Sequence, residues 1–411
     1  MVDRSLVQVA KRRSDGGVKT CRIHDLIRDL CISESESDKL LEVCTDSHID
    51  SVSNTNPRRL SIHWKGYSDV SANTFHKSCT RSMFIFGSGS IKLVHVLKNF
   101  KLARVLGCDM YHYQCFWSYS VCRDFKRMIH LRLLKIEVKH LPACVCSLWN
   151  LETLHVRYKT TVSSKIWTLK RLRHLYLMGG KELPVVPPKA NRIENLQTLE
   201  LLTSLEFRNR MYPQEIIFLL NSAIFPRLRK LALDSHNAPA ESGMLSSLHR
   251  LSNLHSLKII GNLKVPSDTN AFPSNLTKLT LTLNAFRDPR PFLKTLGRLT
   301  SLQILKLKSI DGIWFDGNIV VDIGMGEFPQ LQVLHMRVIP LRQLRLERGA
   351  MPRLRHLLID SCRYLSELPE ELWSLTALRL LHLLKPSRVL AYRLKNVEPR
   401  NGCKLIMSNV Q

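Results

Sequence analysis

A six-residue pattern, Leu-x-x-Leu-x-Leu with conservative substitutions, recurs along most of this 411-residue chain. Most copies begin about 20 to 29 residues after the previous one, whereas an amphipathic helix repeats its leucines about every 3.6 residues. The clear copies begin at Leu131, Leu151, Leu172, Leu196, Leu228, Leu254, Leu276, Leu302, Leu331, Leu354 and Leu378. Weaker copies begin at Pro57 (PRRLSI), Arg81 (RSMFIF) and Ala103 (ARVLGC). The chain is therefore predicted to consist of one short strand unit repeated many times.

Each copy has the alternation of a half-buried strand. Leucines two residues apart point into the core, and the residues between them point out. Each unit buries its leucines only against its neighbours, so the copies should stack into one solenoid. The spacing is typical of leucine-rich repeats. We therefore expect an α/β fold, a leucine-rich-repeat solenoid of about 14 repeats with a parallel sheet on its concave face.

Three copies share a longer frame. HLPACVCSLWNLETLHV (140–156) and ELPEELWSLTALRLLHL (367–383) align without a gap, and SSKIWTLKRLRHLYL (163–177) keeps the spacing without Leu-Pro. Because Pro has no backbone donor, Leu-Pro should end the strand pairing and turn the chain across the convex side. Cys362, in LLIDSCRYLSELP, is expected to face the inner turn as a structural cysteine.

The outward strand positions carry much positive charge. The chain has 61 Lys and Arg against 34 Asp and Glu, a net charge of +27. A single lysine on a sheet is usually only solvated, but as a group these residues indicate an acidic protein surface as partner. An open concave surface also favours binding over catalysis. The predicted protein-binding positions are His155, Arg157, Tyr176, Lys230, Lys258, Lys278, Lys306, Lys308, His335 and Arg337.

Nucleic acid is the rival partner for a basic chain. Single-strand binding usually needs aromatic side chains among the basic ones, and the predicted sheet offers Tyr176 and few others. The aromatic cluster MYHYQCFWSYS (110–120) lies in a spacer between two copies. Direct nucleic-acid binding is therefore not expected.

Other kinds of site are not indicated. The 11 cysteines form no repeated framework, and Cys144 and Cys146 have no matching pair to complete a zinc tetrahedron. No catalytic Ser-His-Asp, Cys-His or paired-carboxylate arrangement has a recognisable spacing, so the chain is not expected to be an enzyme. Residues 1–17 lack the apolar core of a signal peptide, and no apolar run is long enough to span a bilayer. We therefore expect a cytoplasmic protein without metal site or membrane span.

A change in composition divides the chain. Residues 32–56 are polar, acidic and rich in Ser, and Pro57 opens the first copy of the repeat. The expected organisation is a small N-terminal piece over residues 1–45, a linker over 46–56 and the repeat domain over 57–411.

The N-terminal piece resembles a known family. LVQVAKRRSDGGVKTCRIHDLIRDL (6–30) is similar to the end of the winged-helix part of plant nucleotide-binding, leucine-rich-repeat (NB-ARC–LRR, coiled-coil class) disease resistance proteins. Ile23-His24-Asp25 occupies the family's Met-His-Asp motif, with Ile in place of the commoner Met. The early repeats PRRLSIH and RSMFIF and the late GAMPRLRHL (349–357) also resemble this family's repeats. The resemblance implies a small winged-helix remnant ahead of the solenoid.

The resemblance also implies roles for the motif. His24 would contact the terminal phosphate of bound ADP, and Asp25 would hold the local geometry. Taken alone, the pair could be a helix N-cap with an adjacent polar residue. For Asp25 a capping role and a role in the phosphate latch are equally compatible with the sequence, because one carboxylate can do both. The family's phosphate-binding loop needs Gly-x-x-x-x-Gly-Lys-Ser/Thr, and the nearest approach here, Gly179-Gly180-Lys181-Glu182, lacks both spacing and hydroxyl. No cofactor is therefore expected in this chain, and ADP or ATP only together with an NB-ARC module.

Two functions remain in view. The first is part of a plant innate immune receptor, whose repeats sense a pathogen effector or a guarded host protein. In that reading the repeats also restrain the nucleotide switch by contacting the NB-ARC module in cis or in trans. The alternative is a free-standing leucine-rich scaffold or adaptor in intracellular signalling. In that case residues 1–45 would form a protected cap on the solenoid, whereas an isolated switch segment would expose apolar helix surface.

Overall fold

The computed structural model describes residues 6–12, 17–45, 56–64, 79–87, 100–110, 123, 125–138, 141–157, 162–178, 193–202, 225–235, 248–261, 268–283, 290–309, 319–397 and 401–409. These residues fall into two compact units. The first consists mainly of Cys21–Asn209 and the second mainly of Arg229–Gln411.

The first unit carries a parallel sheet in which each strand pairs with the next one along the chain. Ahead of it, β1 (Val7–Arg12) and β2 (Val18–Ile23) form a separate two-stranded sheet, followed by helix α1 (Asp25–Ser37). The strands of the parallel sheet are β3 (Leu41–Thr45), β4 (Arg59–Trp64), β5 (Ser82–Gly87), β6 (Val105–Met110), β7 (Leu133–Glu137), β8 (Thr153–Arg157), β9 (His174–Met178) and β10 (Thr198–Leu202).

The second unit repeats this architecture. Its parallel sheet contains β11 (Lys230–Ser235), β12 (Ser256–Gly261), β13 (Lys278–Leu283), β14 (Ile304–Ser309), β16 (Val333–Arg337), β18 (His356–Asp360), β19 (Leu380–Leu384) and β20 (Lys404–Ser408). Two further strands, β15 (Ile319–Ile323) and β17 (Leu341–Leu346), pair in parallel as a small second sheet. Helix α2 (Arg290–Gly297) contacts β15, and helix α3 (Arg388–Leu394) lies between β19 and β20.

The predicted solenoid is confirmed. All 14 copies of the pattern, clear and weak, fall on strands of the two parallel sheets. The inward residues are buried, as in β8, where Leu154 is fully buried and its neighbours on either side are partly exposed. The alternation of apolar and polar residues in the sequence therefore corresponds to the alternation of buried and exposed side chains in the sheet.

The longer frame has the expected turn. Pro142 and Pro369 precede short 3-10 helices, Ala143–Ser147 and Glu370–Ser374, and both prolines have φ −66° and ψ 143°. In the third copy Ser163 adopts nearly the same angles, and its hydroxyl accepts a hydrogen bond from the Lys165 backbone N–H at 3.3 Å. The Pro position can be replaced because what the frame needs is an extended N-cap residue. The remaining 3-10 helices are Ser164–Thr168, Leu248–Arg250 and Thr269–Ala271.

The first unit's sheet extends beyond the predicted repeats at its N-terminal end, and the second unit's sheet extends beyond them at its C-terminal end. β3 lies inside the segment 1–45 and pairs in parallel with β4, and β20 pairs with β19 near the C-terminus. Neither strand has the full leucine pattern, and β3 has only one fully buried residue, Cys44. End strands bury one flank only, so fewer apolar residues are required there. The winged-helix remnant remains a prediction. Most of the linker, residues 46–55, lies outside the described residues, as do residues 111–120 of the aromatic cluster and residues 179–182.

Candidate protein-binding site

Three predicted binding residues meet on the sheet of the first unit. His155 stands opposite Tyr176 in the register of β8 and β9, and Arg157 follows on the same face. The His155 and Tyr176 rings are 5.4 Å apart at their centroids. The Sδ atom of Met178 lies 3.2 Å from the His155 Nε2. His155, Arg157 and Tyr176, which were selected from the sequence, thus lie together on one surface.

A charge network extends this surface across β6, β7 and β8. Lys135 Nζ donates to Asp109 at 2.6 Å, and Arg157 Nη1 donates to the other Asp109 carboxylate oxygen at 3.0 Å. Arg157 also lies 3.5 Å from Glu137. The two carboxylates of Asp109 and Glu137 thus neutralise the charges of Lys135 and Arg157 in this part of the sheet.

The pKa values follow from burial and from this network. The hydrogen bond from Lys135 lowers the pKa of Asp109, whereas burial raises the pKa of Glu137. Burial, helped by Arg157 and Lys135, lowers the pKa of His155 to about 4. His155 is therefore a neutral ring at physiological pH, able both to donate and to accept a hydrogen bond.

Next to this network the sheet is aromatic. Phe84 and Phe86 on β5 are 39% and 37% exposed, and His63 stacks on Phe86 with the ring centroids 5.1 Å apart. Gly107 on β6 makes room for Phe84, since a Cβ there would lie 2.6 Å from the ring. The sequence analysis named only Tyr176 among the sheet aromatics, because RSMFIF is a weak copy of the repeat. The sheet is more aromatic than predicted.

The second unit carries the basic part of the predicted surface. Lys258, Lys306 and Lys308 lie on β12 and β14, and His335 and Arg337 lie opposite the two β14 lysines on β16. Lys230 and Lys278 begin β11 and β13 and stand in one row with Ser256. Arg337 Nε lies 3.2 Å from Asp360. The register thus assembles one basic face from strands that lie far apart in the sequence.

Burial and mutual repulsion control the charges on this face. Burial, then Lys306 and Lys308, lower the pKa of His335 to about 4. Its Nδ1 is buried without a hydrogen-bond partner. Burial, followed by the charges of Arg337 and Lys258, also lowers the pKa of Lys308. Partial burial and neighbouring positive charges thus both lower the pKa values of His335 and Lys308 on this face.

The Ile23-His24-Asp25 motif lies at the start of α1. His24 is the N-cap residue, and its Nδ1 accepts from the Leu26 backbone N–H at 3.4 Å. Asp25 is the first helical residue and lies 3.7 Å from Arg28. A capping role was one of the two predicted for Asp25, but the capping side chain is that of His24. All three motif residues are exposed.

Helix α1 leaves its apolar side uncovered. None of its residues is buried, and Leu26 and Leu30 are 74% and 57% exposed. Ile23 on β2 is also exposed. An amphipathic helix normally buries such a stripe, whereas this one is exposed in the described structure.

Several residues of the surface escaped the sequence analysis. Lys135 and Glu137 occupy outward positions of a clear copy, and the same alternation could have identified them. Asp109 directly follows the weak copy ARVLGC and contacts Arg157, 48 residues away. Only the strand register shows that these residues meet.

The described residues contain no group of three or more His, Cys, Asp or Glu side chains arranged to hold a metal ion. Within the same residues, no helix is long and apolar enough to cross a membrane. Cys362 is buried, and burial raises the pKa of its thiol to about 12, as suits a structural cysteine.

Comparison with known proteins agrees with this architecture. The family described as "Leucine-rich repeat region" matches residues 79–291, slightly more than half of the chain. Among solved structures, the internalin inlF of Listeria monocytogenes has a TM-score of 0.48 and 14% identity, covering 89% of this chain and 88% of that one. Because the family model covers more than half of the chain, the chain belongs to the leucine-rich-repeat family.

The curated relatives narrow the class. The late blight resistance protein homolog R1B-16 of Solanum demissum is 27% identical over 93% of this chain. Disease resistance protein RPP8 of Arabidopsis thaliana is also 27% identical over 93%, and the ToMV resistant protein Tm-2 netted virescent of Solanum lycopersicum is 28% identical over 82%. This chain spans 30%, 45% and 42% of their respective lengths. The resemblance to plant disease resistance proteins is confirmed.

Proposed function

We propose that this chain is the recognition and control part of a plant innate immune receptor that acts in the cytoplasm. Its concave faces bind a pathogen effector or a guarded host protein. The basic face of the second unit restrains the nucleotide switch by contacting an NB-ARC module in cis or in trans. The observation that carries the proposal is the basic face formed by Lys258 on β12, Lys306 and Lys308 on β14 and Arg337 on β16, next to the neutral His335. An open, charged sheet suits protein contact rather than catalysis.

The proposal gives His24 a nucleotide-sensing role. Its Nδ1 accepts a hydrogen bond from the Leu26 backbone N–H, which leaves Nε2 to donate to a phosphate oxygen. The first turn of α1 adds unpaired backbone amides, which favour an anion. The ADP or ATP itself would be held by the NB-ARC module. Asp25 would support the helix start through its contact with Arg28.

The uncovered side of α1 favours this function over the free-standing scaffold. A cap on a solenoid should bury its apolar residues against the first repeat, yet Leu26 and Leu30 remain exposed. A switch segment, in contrast, needs this surface to pack against the module that it belongs to. The scaffold stays the second candidate, in which the concave faces bridge two signalling proteins without any nucleotide.

Charge reversal on the basic face tests the restraint. The chain would be mixed with the separately produced NB-ARC module of one of the curated relatives, and association measured by pull-down and titration. We expect Lys258→Glu, Lys278→Glu and Lys306→Glu together to weaken the association at least about tenfold, and more strongly at low salt. A matched control reverses three exposed lysines elsewhere, Lys165→Glu, Lys170→Glu and Lys294→Glu. Equal binding of the NB-ARC module by both variants would refute the proposed restraint by the basic face.

A further inference from the structure

The C-terminal end of helix α1 alternates serine with acidic residues. The segment ISESESD (32–38) places Ser33, Ser35 and Ser37 directly before Glu34, Glu36 and Asp38. Ser33 and Ser37 are exposed, and Ser35 is partly exposed. A serine within a helix often donates to the carbonyl four residues earlier, but these hydroxyl groups form no hydrogen bond with any residue that the structure describes. They are therefore open to chemical modification.

The same end of the helix is negatively charged. α1 ends at Ser37, Asp38 is its C-cap residue, and the last turn contains no basic residue. The carbonyl end of a helix carries a partial negative charge, so it favours cations and disfavours anions. Here it holds the exposed carboxylates of Glu34, Glu36 and Asp38, which form no ion pair within the described part of the chain. Further negative charge would therefore destabilise the last turn.

The turn that ends α1 also joins it to the repeat sheet. Lys39 adopts a left-handed conformation with φ 54°, typical of a residue that ends a helix, and its backbone N–H donates to the Glu36 carbonyl at 3.0 Å. The Leu40 N–H donates to the Ser35 carbonyl at 2.8 Å. Strand β3 begins at the next residue and pairs with β4. Weakening these two hydrogen bonds would loosen the connection between α1 and the sheet.

We propose that Ser33 and Ser35 are phosphorylation sites for an acidophilic serine kinase, and that their modification opens the last turn of α1. Both serines have a carboxylate one residue and three residues later, whereas Ser37 has only the nearer one, Asp38. A kinase with a basic substrate groove selects such a charge pattern, because opposite charges across an interface fix its register. The site itself does not depend on the proposed function.

The reaction is an ordinary phosphoryl transfer from ATP. The serine hydroxyl oxygen forms a bond to the γ-phosphorus of ATP while the bond from that phosphorus to the bridging oxygen breaks. ADP leaves, and a carboxylate of the kinase accepts the hydroxyl proton. The serine becomes a phosphoserine with a charge of about −1.5 to −2 at pH 7.

The position of the new charge decides its effect. Ser35 lies in the last turn, and its carbonyl accepts the hydrogen bond from Leu40. A phosphate at a helix C-terminus beside acidic residues acts by like-charge repulsion. One unit charge in the last turn changes helix stability by about 0.3–1 kcal/mol, so a phosphate corresponds to a roughly threefold to thirtyfold increase in opening of the turn. Phosphorylation would thus release the helix that begins with the His24 motif from its fixed connection to the repeats.

Incubation of the full chain with ATP and purified casein kinase II, followed by mass-spectrometric mapping, tests the site. We expect phosphate on Ser33 and Ser35. Glu36→Gln with Asp38→Asn should slow this modification at least about tenfold, because two carboxylates that the kinase contacts are lost. The matched control, Glu194→Gln with Glu370→Gln, removes two exposed carboxylates elsewhere and should be modified within about twofold of the wild-type rate.

Hydrogen exchange of the phosphorylated full chain tests the consequence. The Lys39 and Leu40 amides should exchange at least about threefold faster than in the unmodified chain, whereas those of helix α2 should not change. Kinase treatment of Ser33→Ala with Ser35→Ala should leave the exchange as it is. The proposal is overturned if Ser33 and Ser35 stay unmodified while other serines react, or if both acid variants are modified at the same rate. It is also overturned if exchange stays the same or slows, as it would if the phosphates paired with Lys39 or Arg58. None of these measurements involves an NB-ARC module, so their outcome is separate from that of the proposed function.

Discussion

Lys306 lies directly opposite His335 on the neighbouring parallel strands β14 and β16, and the imidazole ring beside it stays neutral at neutral pH. Burial and the charges of Lys306 and Lys308 lower the pKa of His335 to about 4, against an ordinary value of 6.5. Asp360 and Arg337 also face this ring, with opposite effects on its pKa. Protonation of His335 on this basic face is therefore unfavourable at neutral pH.

The first prediction concerns acid sensitivity. Above pH 6.5 His335 is neutral in both the folded and the unfolded chain, so its titration does not affect stability. As the pH falls from about 6.5 to about 4, the unfolded chain takes up a proton and the folded one does not, so the free energy of unfolding decreases. His335→Gln should remove about 1–2 kcal/mol of that decrease, allowing for partial solvent screening.

Urea unfolding at a series of pH values measures this effect. The exposed His130→Gln is the matched control and should leave the pH dependence as it is. If His335→Gln and the wild type lose stability in parallel between pH 6.5 and 4, the ring is not held neutral by its neighbours.

The second prediction concerns the network on the first unit. Asp109→Asn removes the carboxylate that Lys135 and Arg157 share, and should cost about 1–2 kcal/mol at neutral pH. The pKa of Asp109 is lowered, so its contribution is present above pH 3.8 and disappears as the pH falls through the lowered pKa. Chemical unfolding at pH 7 and at low pH should show the difference between variant and wild type only at the higher pH.

A second ion pair of equal length serves as its control. Arg393 and Glu367 are also 2.6 Å apart, but the Glu367 side chain is 52% exposed, compared with 23% for Asp109. Glu367→Gln should cost less than about 0.5 kcal/mol, because exposed pairs contribute little. Similar losses in both variants would show that burial does not strengthen the Asp109 network.

The third prediction concerns the close approach of Gly107 and Phe84. A methyl group at residue 107 would lie 2.6 and 2.8 Å from two ring carbons of Phe84, so the ring must move. Since Phe84 is partly exposed, it can swing outwards, and Gly107→Ala should cost only about 1 kcal/mol. In a Phe84→Ala background the same change should cost almost nothing, and a double-mutant cycle measures the coupling. A coupling near zero would mean that the two positions do not compete for space.

The fourth prediction concerns the apolar side of α1. Leu26→Ser with Leu30→Ser should change the stability of the chain by less than about 1 kcal/mol, because neither side chain is buried. In contrast, Leu305→Ala in the core should cost about 2–5 kcal/mol. The same double variant should lose association with an NB-ARC module if α1 packs against it. Thermal unfolding and the pull-down separate the two effects, and an equal loss of stability in both variants would show that α1 is covered.

Much of the fold could be read from the sequence. Strand alternation has a period of two residues, so Leu154 could be placed inside and His155 outside from their neighbours alone. The repeat spacing placed the strands even where the copies were weak, as at Arg81 and Ala103. The family resemblance rested on the opening motif and on the same repeats. These features depend only on residues close together in the sequence, so they can be recognised whatever the length of the spacers between the strands.

The relations between strands were decided only by the tertiary structure. The contact of Asp109 with Arg157 depends on register across spacers of unequal length. The neutral state of His335 depends on which side chains surround it once β14 and β16 are paired. The sequence by itself determined which residues face outwards from each strand. The packing determined which of them become neighbours, because charge and burial act through distance in space and not along the chain.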